Sequence, residues 1–185
     1  KEYFKKGGSN DLIEILKKHS NKNIDWFNEF YLAKRTSIDI RIKSVKKKND
    51  SLIVKINKFS NNELPFILAQ VKNDSVISKQ WISDIEKEDI IYLKNLNPDY
   101  IAINPQTRFS EKNKINNWKY LNNFLNIKPL HFNFLKDYQS PKRNQMFYNP
   151  IFNYNLYDGV SYGSKFYDKG ILAQKFTFEV MPQYS

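Results

Sequence analysis

Asp84, Glu86, Glu88 and Asp89 form the densest acidic group in the 185-residue chain. Carboxylates this close can act as the acid and base of a glycoside hydrolase or ligate Ca²⁺. Here they fall between two strand-like runs, without the Gly-containing loop of a Ca²⁺ site, and read as a solvated turn. There are two imidazoles. His19 falls near a helix end, where a cation complements the dipole, and His131 lies in Leu130-His131-Phe132-Asn133-Phe134, on the polar side of an alternating strand. The absence of Cys excludes disulfides, thiolate zinc sites and Cys nucleophiles. Neither H-E-x-x-H nor G-x-S-x-G occurs, and Gly7-Gly8 lacks the spacing of a phosphate loop. Asn49-Asp50-Ser51 and Asn73-Asp74-Ser75 match glycosylation acceptors, although turns collect the same residues. No catalytic residue, cofactor-binding residue or metal ligand is assigned within this chain.

The elements around these residues form a mainly β plan. Ser9, Asn10 or Asp11 caps a helix with Leu12, Ile13, Ile15 and Leu16 as its apolar positions. Asp25 opens a second helix whose stripe is Trp26, Phe27, Phe30 and Tyr31. From Ser37 the period falls to two: Ile38, Ile40 and Ile42 alternate with Asp39, Arg41 and Lys43. Lys46–Asn49 reads as a turn. Further runs lie at Leu52–Ile56, Phe66–Val71, Val76–Ile82, Ile90–Leu93 and Tyr100–Ile103, with Asn73-Asp74 as a hairpin turn. Six short strands predict a small antiparallel β-sandwich. Residues 111–129 read as a linker with a helical turn around Trp118–Leu125. Beyond it, residues 130–185 hold 14 of the 29 aromatics, in strand-like runs at Phe147–Tyr157, Gly159–Tyr167 and Leu172–Met181, with Asp168-Lys169-Gly170 as a turn. Aromatic strands of about ten alternating residues fit either an outer-membrane barrel or a hairpin packed on its neighbour.

The net charge is +11, yet 26 of the 30 basic residues are Lys and only Arg35, Arg41, Arg108 and Arg143 are Arg. Arg is the preferred reader of phosphates and bases, and 23 Asn residues accompany the Lys excess. This is a usage bias rather than a nucleic-acid footprint, so no nucleic-acid partner is expected. The first residue is Lys and the last five are Met-Pro-Gln-Tyr-Ser, which reads as an excerpt of a longer polypeptide.

The order of segments resembles the rear of the aminopeptidase-N-type zinc metallopeptidases, or gluzincins. Asn23-Ile24-Asp25-Trp26-Phe27-Asn28-Glu29-Phe30 is similar to the end of their helical catalytic domain. Ser37-Ile38-Asp39-Ile40-Arg41-Ile42 is similar to the strand entering their β-sandwich. Glu63-Leu64-Pro65-Phe66 resembles the loop into the third strand, and Tyr100-Ile101-Ala102-Ile103-Asn104-Pro105 the closing one. Three positions depart from that pattern: Phe30 stands where Trp is frequent, Ile40 where an aromatic follows Asp, and Asn104 where the family has Asp. Lys128–Asp137, Met146–Pro150 and Tyr157-Asp158-Gly159 resemble the envelope versions of Bacteroidetes-type bacteria, in which a β-barrel begins.

What the resemblance implies is a parent enzyme. Zinc, its ligands and the general base would lie upstream of Lys1, with peptides as the parent's substrate and the bacterial envelope (periplasm or outer membrane) as its location. Residues 1–36 would end a catalytic domain, 37–110 form the sandwich, 111–129 link, and 130–185 begin an envelope-associated β region. The sandwich would buttress the catalytic domain, with Trp26, Phe27, Phe30 and Trp81 as packing anchors. The alternative is a stand-alone β-sandwich of the cell envelope acting as a binding or adhesin-like module. A weaker rival is a basic binder of nucleic acid or anionic lipid.

Overall fold

A computed structural model describes residues 8–20, 24–27, 39–60, 64–83, 85–106, 111–123, 125–135, 138–157, 159–172 and 176–184. The fold is mainly β with one short N-terminal helix. Helix α1 spans Ser9–His19 and is capped by Gly8 rather than by Ser9, Asn10 or Asp11. Asp11 acts one turn later, its carboxylate accepting the Gly8 N–H at 2.8 Å. Lys17, Lys18 and His19 complement the dipole at the other end. Ile13 is buried, whereas Leu12, Ile15 and Leu16 are exposed. Residues 28–38 lie outside the described residues, and with them Phe30 and Tyr31 of the second predicted helix and Ile38 of the first predicted strand. Trp26 and Phe27 meet edge to face at 5.8 Å, and Trp26 packs on the sandwich core.

All six predicted sandwich strands form. One sheet holds β1 (Ile40–Lys48), β2 (Ser51–Lys58) and β5 (Glu88–Lys94) in the order β1-β2-β5. The other holds β3 (Phe66–Lys72), β4 (Ser75–Ile82), β6 (Tyr100–Ile103) and β7 (Trp118–Tyr120) in the order β4-β3-β6-β7. All their pairings are antiparallel. Alternation sends Ile40, Leu52, Val54 and Ile56 inward from the first sheet, against Phe66, Leu68, Ile101 and Ile103 of the second. Gln70, also buried, joins the sheets. Its Nε2 donates to the Lys94 carbonyl at 2.9 Å and its Oε1 accepts the Leu96 N–H at 3.2 Å.

Several local readings change. Lys46, Lys47 and Lys48 continue β1, paired with Ile53, Leu52 and Ser51, and the turn is Asn49-Asp50. Asn49 supplies its positive φ of 51°, which Asn tolerates better than most residues. The Asn73-Asp74 turn holds, with φ of 47° and 61°, the double left-handed geometry of a two-residue hairpin. Trp81 is not an anchor: it points away from the core on β4 and is 51% exposed. The stretch read as a linker contributes β7, preceded by a 3-10 turn at Ile115–Asn117. No helical turn forms at Trp118, because its backbone pairs with Ala102 while its ring is buried against Tyr100 at 5.9 Å.

A third sheet follows. It contains β8 (Leu130–Phe134), β9 (Asn144–Asn155), β10 (Gly159–Tyr167), β11 (Glu179–Val180) and β12 (Gln183–Tyr184). The order is β11-β10-β9-β8, with β12 also on β10. Strands β9 and β10 are a long antiparallel hairpin, and β8 runs parallel to β9. Of the predicted strand at Leu172–Met181, residues 173–175 lie outside the described residues, and the described part pairs only at the two-residue β11. The Phe178 N–H bonds to the Asp168 carboxylate, and Pro182, which has no N–H, separates β11 from β12.

Candidate interaction surface

Register places the third sheet's residues on two unlike faces. On one, Phe134, Tyr148, Phe166 and Val180 line up across four strands. Their rings touch in sequence, Phe134 to Tyr148 at 5.1 Å and Tyr148 to Phe166 at 6.3 Å. Phe132 and Met146 form the row on one side. Toward the hairpin tip come Pro150 with Ser164, then Phe152, Tyr162 and Tyr184, then Tyr154 with Val160. Among the described strand residues, no Asp, Glu, Lys, Arg or His occupies this face. It is also uncovered: Phe152, Tyr154 and Val160 are 74%, 70% and 65% exposed.

The opposite face is polar. It carries His131, Gln145, Asn149, Asn153, Ser161 and Gln183, and a Lys165–Glu179 ion pair at 2.8 Å. Two apolar features interrupt it: Phe147 on Tyr167 at 5.4 Å, buried near the sandwich end of the hairpin, and the half-buried Ile151 opposite Gly163. Gly163 is required here because β12 crosses it closely. A Cβ at that position would strike the Pro182 carbonyl and Gln183.

Polar bonds join the third sheet to the sandwich. The partly buried Lys128 ammonium donates to the Ile115 carbonyl at 2.5 Å and to the Pro141 carbonyl at 2.6 Å. Burial, with Lys119 nearby, lowers its pKa to about 8. Lys142 bonds Asp74 in the β3–β4 turn at 2.6 Å while lying 5.0 Å over the Trp118 ring. A cleft of about 480 Å³ lies at this junction, lined by Asn104, Glu111, Trp118, His131, Tyr138 and Arg143 among others.

Glu111 is the group that sequence reasoning missed. Its Oε1 accepts the Ile40 N–H at 3.0 Å, and Asn104 Nδ2 lies 3.5 Å from Oε2. It therefore ties the first residue of β1 to the end of β6. Burial pushes its pKa up to about 7, against bonds from Ile40, Asn117 and Asn104 that favour the charged form. Its signal in the sequence was slight: it is the sole carboxylate between Asp99 and Asp137. Asn104 extends the ladder past Ile103, since its Oδ1 accepts the Ile67 N–H at 2.9 Å and its own N–H reaches the Ile67 carbonyl at 2.8 Å.

The other candidates do not converge. Glu88 lies on the outer face of β5, paired with Lys43 at 3.0 Å and Lys55 at 2.8 Å. Bonds from Lys55, Lys43 and Asn57 lower its pKa to about 2. Glu86 and Asp89 stand apart from that network, and Asp84 lies outside the described residues. His19 is exposed at the end of α1, and His131 is exposed on β8. Among the described residues no group of three His, Cys, Asp or Glu is placed to hold a metal ion. No described helix is long and apolar enough to cross a membrane, which leaves membrane-crossing strands untouched. No family model, curated protein or solved structure matches the chain significantly. The likeness to aminopeptidase-N-type enzymes rests on the residues quoted for it.

Proposed function

We propose that this chain is a non-catalytic C-terminal portion of a zinc metallo-aminopeptidase-like protein of the bacterial envelope. In this reading the sandwich is a rigid buttress: it supports the upstream catalytic domain and carries the aromatic sheet to the envelope. The carrying observation is the uncharged, uncovered face of the third sheet, held to a closed sandwich core by Lys128 and Lys142. Two further features support it. Leu12, Ile15 and Leu16 of α1 lack cover, as expected of a helix that packs on another domain. Glu111 and Lys128, whose pKa values burial displaces, are engaged in backbone bonds that hold elements together.

The deciding experiment is the intact mass and zinc content of the native polypeptide. A mass several times 22.1 kDa with about one zinc per chain supports the enzyme parent. A large mass without zinc makes the parent a structural homologue. A native mass near 22.1 kDa replaces this reading with a stand-alone binding module. That second reading has its own support in Tyr148, Tyr154, Tyr162 and Tyr184 on the open face, since Tyr is enriched where proteins recognise one another.

A further inference from the structure

We propose that the open face of the third sheet docks onto the hydrocarbon of a lipid bilayer, lying flat on the membrane. This deepens the envelope reading above and rests on it. Charge is the first argument. Lys, Arg, Asp and Glu make up 26% of the chain, yet none of them falls on this face of the five strands. A protein-binding patch ordinarily keeps a polar rim around its apolar centre; these rows carry only Asn144 and Ser164 besides the Tyr hydroxyls, and no charge. Hydrocarbon excludes charge across the whole contact and needs no register-setting groups.

Composition is the second. Where this molecule packs sheet against sheet, it uses mainly Ile, Leu and Val: Ile40, Leu52, Val54, Ile56, Leu68 and Ile103. The open face uses Phe and Tyr instead. A Tyr ring buries its body in an apolar layer while its hydroxyl stays with water or headgroups, so aromatics collect at membrane interfaces. A second protein sheet laid over Tyr154, Tyr162 and Tyr184 would have to find partners for three hydroxyls.

The third argument sets the orientation. Strands β8, β11 and β12 form the edges of the sheet, and the outward backbone groups of an edge strand cannot enter the bilayer core. The back of the sheet, with Asn153, Ser161 and Gln183, is polar. A sheet lying flat satisfies all three conditions: front in the acyl boundary, edges at headgroup depth, back in water.

The cysteine-free chain permits a face-specific test. The full chain, bearing an environment-sensitive fluorophore at Val160→Cys or at the rearward Ser161→Cys, is mixed with phosphatidylcholine vesicles. About 0.5 M NaCl is used, where the Debye length is only about 4 Å and the +11 charge is screened. The expected result is co-flotation with the vesicles, a blue shift at position 160 and little at 161. Phe152→Asp should lower partitioning at least about tenfold, while Asn153→Asp on the rear face leaves it unchanged. Circular dichroism of each variant keeps a folding defect from passing as loss of binding. Three results would overturn the proposal. They are protein that stays in the aqueous phase, binding confined to anionic vesicles and abolished by salt, or a stable dimer that vesicles do not dissociate. Native mass and zinc content are unaffected by the vesicle outcome, so failure here leaves the enzyme-parent reading standing or falling on its own.

Discussion

The sandwich and the third sheet are written in one alternating pattern and end in opposite environments. In β2, Leu52, Val54 and Ile56 alternate with Ile53, Lys55 and Asn57, and the first three are fully buried. In β9, Phe152 and Tyr154 alternate with Asn153 and Asn155, and all four are exposed. Alternation states that one side of a strand is apolar; it does not name what covers that side. The sandwich strands are covered because another sheet of the same chain returns to face them. The hairpin β9–β10 has no such sheet among the described residues.

The largest expected effect breaks this comparison directly. Phe66→Ala, at the fully buried end of β3, should cost about 3–5 kcal/mol by leaving a cavity in the core. Phe152→Ala should change stability by no more than about 0.5 kcal/mol in water, because its ring is already hydrated. Urea unfolding curves of the two variants measure both. A comparable loss at Phe152 would show that the third sheet's face is covered in water, by a second copy or by another part of the chain.

A second contrast concerns charge. Glu111 is partly buried and binds its proton more tightly in the folded state, with a pKa of about 7 against an ordinary 4.5. The folded state therefore holds more protons than the unfolded chain between those values, and stability must fall as pH rises through that window. The full drop is roughly 3 kcal/mol, complete above pH 7. Glu111→Gln should flatten that part of the curve, which melting temperatures at a series of pH values would reveal. Unchanged slope would mean that Glu111 is hydrated. In the third sheet, the largely exposed Lys165–Glu179 pair should contribute less than about 1 kcal/mol, so Glu179→Gln should change the melting temperature little.

The six sandwich strands and the Asn73-Asp74 turn could be read from the sequence because each is a local pattern: alternation, a breaker, a residue that tolerates positive φ. The β9–β10 hairpin was readable for the same reason. What could not be read depends on partners distant in the chain. Trp118 sits in a Lys/Asn-rich run without alternation, and becomes a strand because the edge of β6 offers it hydrogen bonds. Trp81 was expected inside on size alone, yet its place in β4 puts it on the outer side, opposite Ile67. Glu111 gained its importance from Ile40, 71 residues away. The open face is an intermediate case. Its residues alternate visibly within β9 and β10, but only the register brings Phe134, Val180 and Tyr184 onto the same side.

That register can be sharpened with a smaller perturbation. Gly163→Ala introduces a Cβ into the space taken by the Pro182 carbonyl and Gln183, so β12 must shift away from β10. The cost should be about 1–3 kcal/mol if β12 holds its place. It should be lower if β12 simply detaches, because only two residue pairs are lost. Amide exchange separates the cases. Detachment speeds exchange at Ser164, whose N–H bonds the Pro182 carbonyl, and leaves β9 protected.

The two tryptophans outside the sheet junction give the finest test. Trp26 packs on the sandwich core while partly exposed, so Trp26→Ala should cost about 1–2 kcal/mol, less than a fully buried ring would. Trp81→Ala should cost about 0.5 kcal/mol or less. If α1 and Trp26 belong to the edge of another domain, supplying that domain should raise the cost at Trp26 and leave Trp81 unmoved. The difference between the two unfolding midpoints is then a direct reading of whether the sandwich is gripped from its N-terminal side. Equal costs with and without the upstream chain would remove the buttress from the account and leave the aromatic sheet as the proposed contact surface.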